Sequence, residues 1–173
     1  QPLRSVRLHG KYSIGENDTQ TSLSPIEGPG EYKGRSIAED MLNQNKLIGN
    51  ALTTGFGAWW FDVCGNRYDD PQLMAHLASL VRAADRALPL DHTPVDEFAF
   101  VVDGPQARYL ADGDRLGLWL STGQLPELRR IGTPVGDFDG ADLAHVKHKV
   151  VYFASTFAPS PDERRAIEAL KAM

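Results

Sequence analysis

The chain has 173 residues, 42% of them hydrophobic, and a formal net charge of −5. Its length allows one domain or two small ones, and its acidic balance, without a block of Lys or Arg, argues against a nucleic-acid partner because phosphate backbones bind clustered positive charge. No apolar run approaches the ~20 residues of a membrane helix, and the single cysteine, Cys64, excludes an internal disulfide and a cysteine-based zinc site.

The start of the chain lacks two features of a natural N-terminus. Its first residue is Gln1 rather than Met, and the residues that follow have no apolar core of a signal peptide. We therefore expect a processed, truncated or excised N-terminus. We also expect a cytoplasmic protein with no membrane partner.

The first half of the chain predicts strands and helices in alternation. A loose alternation of apolar residues predicts the first strand, and a continuous apolar run predicts a second strand that is buried on both faces. Ser36 and Glu39 form a capping box, and Asp70 with Pro71 is a typical helix start. In chain order we expect a strand over 6–15, a loop over 19–34, a helix from 36 to about 53, a strand over 57–63 and a helix from 70 to about 88.

The pattern restarts after a linker over residues 90–96, which contains Asp91, His92, Pro94 and Asp96. In the second half we expect a buried strand over 98–102, a mostly helical stretch over 114–131 with a break at Pro126, a short strand over 135–138, a buried strand over 150–154 and a helix over 160–172. Strands and helices that alternate at this spacing predict α/β domains with parallel sheets. We place one domain at 1–90 and a second at 95–173.

Glu16 is the sharpest candidate for chemistry. It follows the first predicted strand, and a carboxylate at the C-terminal end of a parallel strand can act as nucleophile or acid/base in glycoside cleavage. A retaining enzyme needs a second carboxyl group about 5–5.5 Å away. The alternative interpretation is that Glu16 and Asp18 belong to a solvated turn after an edge strand.

Trp59, Trp60 and Asp62 end the second predicted strand. An indole offers a flat apolar surface for a sugar ring, but neighbouring strand residues point to opposite faces, so only one of the two tryptophans can line a site. The other is expected to pack under a helix, and plain core packing is the alternative for either. Asp62 can bind a sugar hydroxyl or serve in a turn.

The remaining motifs favour no cofactor. His145 and His148 are three residues apart, but a metal site would need a third ligand, so a solvated loop before a strand is the preferred interpretation. The Asp103-Gly104-Pro105 turn is too short for a dinucleotide fingerprint. We therefore expect neither a metal nor a nucleotide cofactor, and a nucleotide-binding module is disfavoured.

Eight short motifs together carry a resemblance to a known family. They are residues 15–19 (GENDT), 36–39 (SIAE), 55–62 (GFGAWWFD), 68–71 (YDDP), 98–103 (FAFVVD), 128–135 (LRRIGTPV), 149–153 (KVVYF) and 161–165 (PDERR). In order and spacing they resemble the C-terminal part of the β-galactosidase-like glycoside hydrolases of family 42 and its relatives. That resemblance implies the last two β/α units of a (β/α)8 TIM barrel, followed by a small flavodoxin- or glutamine-amidotransferase-like α/β domain that builds a trimer.

The resemblance also implies a function and a set of site residues. Glu16 would be the nucleophile, and Asn17, Asp18, Trp59, Trp60 and Asp62 would contact a carbohydrate substrate. The acid/base would lie outside this chain, in an upstream barrel half encoded by the same gene or another chain, and the protein would be a homo-oligomer. Amidotransferase chemistry is excluded, because the second domain has no cysteine nucleophile. A non-catalytic oligomerisation or carbohydrate-binding module is the alternative.

Overall fold

The structure, a computed structural model, describes residues 2–25, 33–62, 65–110 and 115–172 and is a mixed α/β protein with two short parallel sheets. The helices and strands, in chain order, are α1 (Leu3–Leu8), β1 (Ile14–Asn17), α2 (Ile37–Thr54), β2 (Gly57–Trp60), α3 (Pro71–Ala87), β3 (Phe98–Val102), α4 (Leu116–Leu118), α5 (Gln124–Arg129), β4 (Val135–Asp139), β5 (Val150–Phe153) and α6 (Pro161–Lys171). None of the described helices is both long enough and apolar enough to cross a bilayer.

The chain divides into two compact units. Residues 12–93 form the continuous unit, and residues 1–11 together with 94–173 form the discontinuous unit. The second unit therefore takes in the first eleven residues, which we had assigned to a domain spanning 1–90.

The continuous unit is a strand–helix–strand–helix segment in which β1 pairs with β2 in parallel. Both of its helices begin where predicted. The Ser36 hydroxyl accepts the amide of Glu39 at 3.3 Å, and the Asp70 carboxylate accepts two amides of the first turn of α3. The Glu39 carboxylate bonds the amide of Arg35 at 2.9 Å, one residue before the partner that a capping box predicts.

The buried face of α2 differs from the predicted apolar stripe. Asp40 and Gln44 are each 1% exposed, whereas Leu42, which we had placed in the stripe, is 60% exposed. The buried positions recur every three or four residues, as one helix face requires. Two polar side chains on that face therefore need hydrogen-bond partners inside the unit.

The prediction of a long second strand buried on both faces was wrong. β2 ends at Trp60, Phe61 and Asp62 follow it outside the strand, and Val63 lies outside the described residues. Its sheet has two strands in the described part of the chain, and helices cover one face, so Trp59 stays 43% exposed.

The discontinuous unit contains a parallel sheet in the order β4-β3-β5. The central strand β3 is buried as predicted, but β5 lies at an edge, so Val150 and Tyr152 are half exposed and the prediction of a fully buried strand there was wrong. The residues that form the core of this unit are Ala99, Val101, Phe138, Leu143 and Val146, with α6 and the inward face of β5 against them. Helix α6 opens with both arms of the predicted capping box.

The prediction of a strand over residues 6–15 was also wrong. Helix α1 covers its first part, and β1 begins only at Ile14. Tertiary hydrogen bonds favour the helix, because the amide of Leu3 donates to the Asp137 carboxylate at 3.1 Å and the Ser5 hydroxyl accepts the amide of Asp139 at 2.7 Å. These bonds attach α1 to β4.

The helical stretch after β3 is less regular than the others. Its described part runs from α4 through a π-helical turn at Trp119–Gly123 into α5, and Pro126 lies in the first turn of α5. The proline has no N–H to donate to the preceding turn, and the change from π-helical to α-helical geometry lies directly before it. The predicted start at Asp114 lies outside the described residues.

Candidate functional site

The register of β1 and β2 sorts the predicted site residues onto two faces. Glu16 is the register partner of Trp59, and Asn17 is the partner of Trp60. Because side chains alternate along a strand, the first pair lies on one face of the sheet and the second pair on the other. The predicted site is thus split by the sheet.

Asn17 and Trp60 lie on the helix-covered face. The Asn17 side-chain amide and the Trp60 indole each donate a 2.7 Å hydrogen bond to the same oxygen, Oε1 of Gln44. Asn17 is 2% exposed, and Trp60 packs against the apolar core of the unit. We had predicted that both residues contact a substrate, but in this structure their polar groups instead attach the two strands to α2.

Glu16 and Trp59 lie on the open face. Glu16 is exposed, and within the described ranges its carboxylate has no hydrogen-bond or ion-pair partner. The Trp59 ring meets Phe61 edge to face, with centroids 5.2 Å apart and an angle of 65° between the planes. The open face therefore presents a carboxylate beside a partly exposed aromatic surface.

Arg67 connects the C-terminal ends of the two strands. Its guanidinium Nη1 bonds the Asp18 carboxylate at 2.5 Å, and its backbone amide donates to Asp62 at 3.4 Å. The Arg67 side chain is 5% exposed, whereas that of Asp18 is 52% exposed. Asp18 and Asp62 thus both bond Arg67, the first through its guanidinium and the second through its backbone amide, and both aspartates are exposed.

Tyr68 is a buried hydrogen-bond donor beneath this edge. Burial raises its pKa from 10.0 to about 12; the carboxylates of Asp62, Asp18 and Asp40 raise the pKa as well, and the Arg67 guanidinium opposes them. The phenol therefore stays neutral at physiological pH. Its hydroxyl lies 3.4 Å from the backbone oxygen of Asn17.

Asp40 fixes the loop that follows β1. Its carboxylate accepts the amide of Ser22 at 2.9 Å and the Ser22 hydroxyl at 2.5 Å. Thr21, next to Ser22, donates through its hydroxyl to the backbone oxygen of Arg67. These bonds join the loop, α2 and the Arg67 segment into one network at the C-terminal edge of the sheet.

Sequence reasoning missed Asp40, Gln44, Arg67 and Tyr68. A signal was present for the first two, because Asp40 and Gln44 are four residues apart and in phase with the buried positions Ile48 and Ala51. Arg67 had no such signal, because its partner Asp18 is 49 residues away along the chain.

The site is best described as an open acidic and aromatic surface. Exposed carboxylates can accept hydrogen bonds from hydroxyl groups, and a tryptophan face can pack against the C–H face of a sugar. Across the described part of the chain, no three His, Cys, Asp or Glu side chains group closely enough to hold a metal ion. Comparisons of this chain with protein-family models, with curated proteins and with solved structures found no match.

Proposed function

We propose that the continuous unit contributes part of the substrate cleft of a retaining glycoside hydrolase, with Glu16 as the nucleophile. The observation that supports this most is the register pairing of Glu16 with Trp59 on the open face. Neighbouring strands lie about 4.8 Å apart, so a sugar ring on the indole has its reactive carbon within reach of the carboxylate. The substrate is a carbohydrate with a β-glycosidic bond of the β-galactoside type.

The proposed reaction has two displacement steps. The Glu16 carboxylate attacks the anomeric carbon while the glycosidic C–O bond breaks, and a carboxylic acid from polypeptide outside this chain gives its proton to the leaving oxygen. Water then attacks the glycosyl ester, loses its proton to that same group and releases Glu16 as a carboxylate. Asp18 and Asp62 accept hydrogen bonds from sugar hydroxyls in this proposal.

The finer architecture remains a proposal as well. The β1-α2-β2-α3 order and its parallel register are those of two consecutive units of a TIM barrel. The parallel three-stranded sheet of the discontinuous unit supports a small flavodoxin- or amidotransferase-like domain. We further propose a cytoplasmic homo-oligomer, with a trimer as the expected assembly, whose cleft is completed by an upstream barrel half.

Covalent labelling tests the assignment of Glu16. The chain, alone and supplied with the polypeptide encoded upstream of it, is treated with a panel of 2-deoxy-2-fluoro-glycosides and then digested for mass spectrometry. We expect the label on the peptide that contains Glu16, and we expect Glu16→Gln to lower turnover of aryl glycosides by at least about 10³-fold.

Glu127→Gln is the matched control, because Glu127 is exposed and, among the described residues, forms its ion pair with nearby Arg130. It should keep full activity and full labelling. A label on another residue, or unchanged turnover in Glu16→Gln, would show that Glu16 is not the nucleophile.

One observation favours the alternative of a non-catalytic carbohydrate-binding module. The Trp59–Phe61 surface can hold a sugar without help from a carboxylate. In that case sugar titrations followed by NMR would show binding that Trp59→Ala removes and Glu16→Gln leaves intact, and no glycoside would be hydrolysed with or without the upstream polypeptide. An oligomerisation module would show neither binding nor hydrolysis, and light scattering would report its assembly.

A further inference from the structure

A cavity lies within the discontinuous unit and is lined by residues of α1 and of the segments that follow residue 93. It has a volume of about 340 Å³, near the lower end of the ~300–1,000 Å³ range of small-molecule sites. Four of its lining side chains carry or can gain a positive charge, namely Arg4, Arg7, His145 and His148, and one, Asp96, is acidic. The cavity is therefore cationic overall.

The ion pair between Arg4 and Asp96 is a fixed part of the wall. Arg4 Nη2 donates to one carboxylate oxygen at 2.7 Å and Nε to the other at 2.5 Å, and the two side chains are 11% and 7% exposed. Gly136 lies in β4, and a Cβ at this position would overlap the Asp96 carboxylate. The glycine is therefore what leaves space for Asp96 beside the strand. The pairing leaves Nη1 of Arg4 buried and without a hydrogen-bond partner in the described chain.

His148 contributes a second buried polar atom. Its Nδ1 also lacks a hydrogen-bond partner within the described ranges, and its ring meets Phe138 edge to face at 5.3 Å. Burial lowers the pKa of His148; the Asp96 carboxylate counteracts this shift, and the Arg4 guanidinium adds to it. We had interpreted His145 and His148 as part of a solvated loop. In the structure, both imidazoles line the same cavity as two guanidinium groups.

The nonpolar part of the wall is formed by Leu8, Pro94 and Phe138. A buried polar atom without a hydrogen-bond partner costs free energy, because the group loses its hydrogen bonds to water on folding. An oxyanion can accept hydrogen bonds from guanidinium groups and from a protonated imidazole, and the apolar wall can pack against a short hydrocarbon portion. These features together specify a ligand with one charged end and one nonpolar end.

We propose that this cavity binds a small organic anion, with its carboxylate or phosphate group held by Arg4, Arg7 and His148 and its nonpolar part against Leu8, Pro94 and Phe138. The proposal does not depend on the glycosidase proposal, since no residue of the continuous unit takes part. Binding should strengthen as the pH falls through the titration of His148, because the protonated ring adds a donor and a charge.

Calorimetric titrations of the full chain test the proposal with matched probes. Phenyl phosphate and benzoate provide the two anionic groups, and benzyl alcohol is a neutral probe of similar size. We expect at least one anion to bind and the neutral probe not to bind, and we expect Arg7→Gln and His148→Gln each to weaken the binding by about tenfold or more. Arg130→Gln is the control, because Arg130 is exposed and its ion pair in the described part of the chain is the local one with Glu127.

NMR of the histidine rings gives a second readout in the unmodified protein. The bound anion should raise the pKa of His148 and shift its ring resonances, and it should leave the ring resonances of His76, on α3, in place. Three results would overturn the proposal: neither anion binds, the neutral probe binds as well as the anions, or Arg7→Gln and Arg130→Gln bind alike. If the His148 variant does not fold, an unchanged His148 titration in the unmodified protein overturns it as well.

Discussion

Gly34 and Asp40 pack so closely that a Cβ on Gly34 would overlap Oδ1 of the Asp40 carboxylate. Asp40 cannot move aside without giving up its hydrogen bonds to Ser22, and the amide of Gly34 is itself bonded to the backbone oxygen of Gln20 at 3.1 Å. We therefore expect Gly34→Ala to lower the free energy of unfolding by about 1–3 kcal/mol. Urea denaturation followed by circular dichroism measures this change.

Gly49 provides the control for that substitution. It lies in the middle of α2, is exposed, and has no neighbouring atom that a Cβ would meet. Gly49→Ala should raise the free energy of unfolding by about 0.5–1 kcal/mol, because alanine loses less backbone entropy in a helix. Equal changes in the two variants would contradict the close packing around Asp40.

Gln44 supports both strands of the continuous unit through one oxygen. Gln44→Leu leaves the Asn17 amide and the Trp60 indole buried without their acceptor. At about 1–3 kcal/mol for each unsatisfied group, we expect a loss of about 2–5 kcal/mol in the free energy of unfolding. Gln72→Leu, on the exposed side of α3, should change it by less than about 0.5 kcal/mol, and a similar loss in both variants would refute the role of Gln44.

The raised pKa of Tyr68 leads us to expect a loss of stability at alkaline pH. The folded protein keeps this phenol protonated to about pH 12, whereas the unfolded chain ionises near 10.0. The contribution of the neutral phenol to the free energy of unfolding is therefore complete below pH 10.0 and is lost as the pH rises to about 12. Over that window the stability of Tyr68→Phe should fall less than that of the unmodified protein, while Tyr109→Phe, at an exposed position, should follow the unmodified protein.

The raised pKa of Asp103 leads us to expect that the free energy of unfolding changes with pH in the acidic range. Burial raises its pKa above the ordinary value of 3.8, the Glu163 carboxylate raises it further, and hydrogen bonds from Gln106 oppose the shift. The folded state thus favours the protonated acid. The contribution of this acid to the free energy of unfolding is complete below pH 3.8 and is lost as the pH rises through the raised pKa of the folded state.

Asp103→Asn should consequently raise the free energy of unfolding at neutral pH, by an amount on the order of 1 kcal/mol. Between acidic and neutral pH, the free energy of unfolding of this variant should also fall less than that of the unmodified protein. Asp85→Asn, at an exposed position on α3, is the control. A neutral-pH stability of Asp103→Asn below that of the unmodified protein would show that the charged form of Asp103 is needed.

The starts of α2, α3 and α6 could be predicted from the sequence because their determinants are local. Ser36, Asp70 and Ser160 each bond amides two or three residues ahead, so the capping signal and its partner lie in the same short segment. The strand predicted over residues 6–15 failed for the opposite reason. The bonds that make α1 a helix join it to β4, and a short alternation of apolar residues cannot reveal partners 134 residues away.

The same distinction applies to the candidate site. The alternation of side chains along a strand already required Trp59 and Trp60 to lie on opposite faces, and the structure places them so. Which face of the β1–β2 sheet is covered depends on where α2 packs. The sequence did not indicate that Gln44 would accept hydrogen bonds from both strands. The pairing of Arg67 with Asp18 likewise depends on the parallel register rather than on spacing along the chain.

The bonds between α1 and β4 have a consequence for biosynthesis. Residues 1–11 leave the ribosome before the continuous unit, but their partners in β4 follow more than a hundred residues later. At translation rates of about 5–20 residues per second, the continuous unit has time to fold while residues 94–173 of the other unit are still being made. Residues 12–93 can therefore reach their native form before residues 1–11 do.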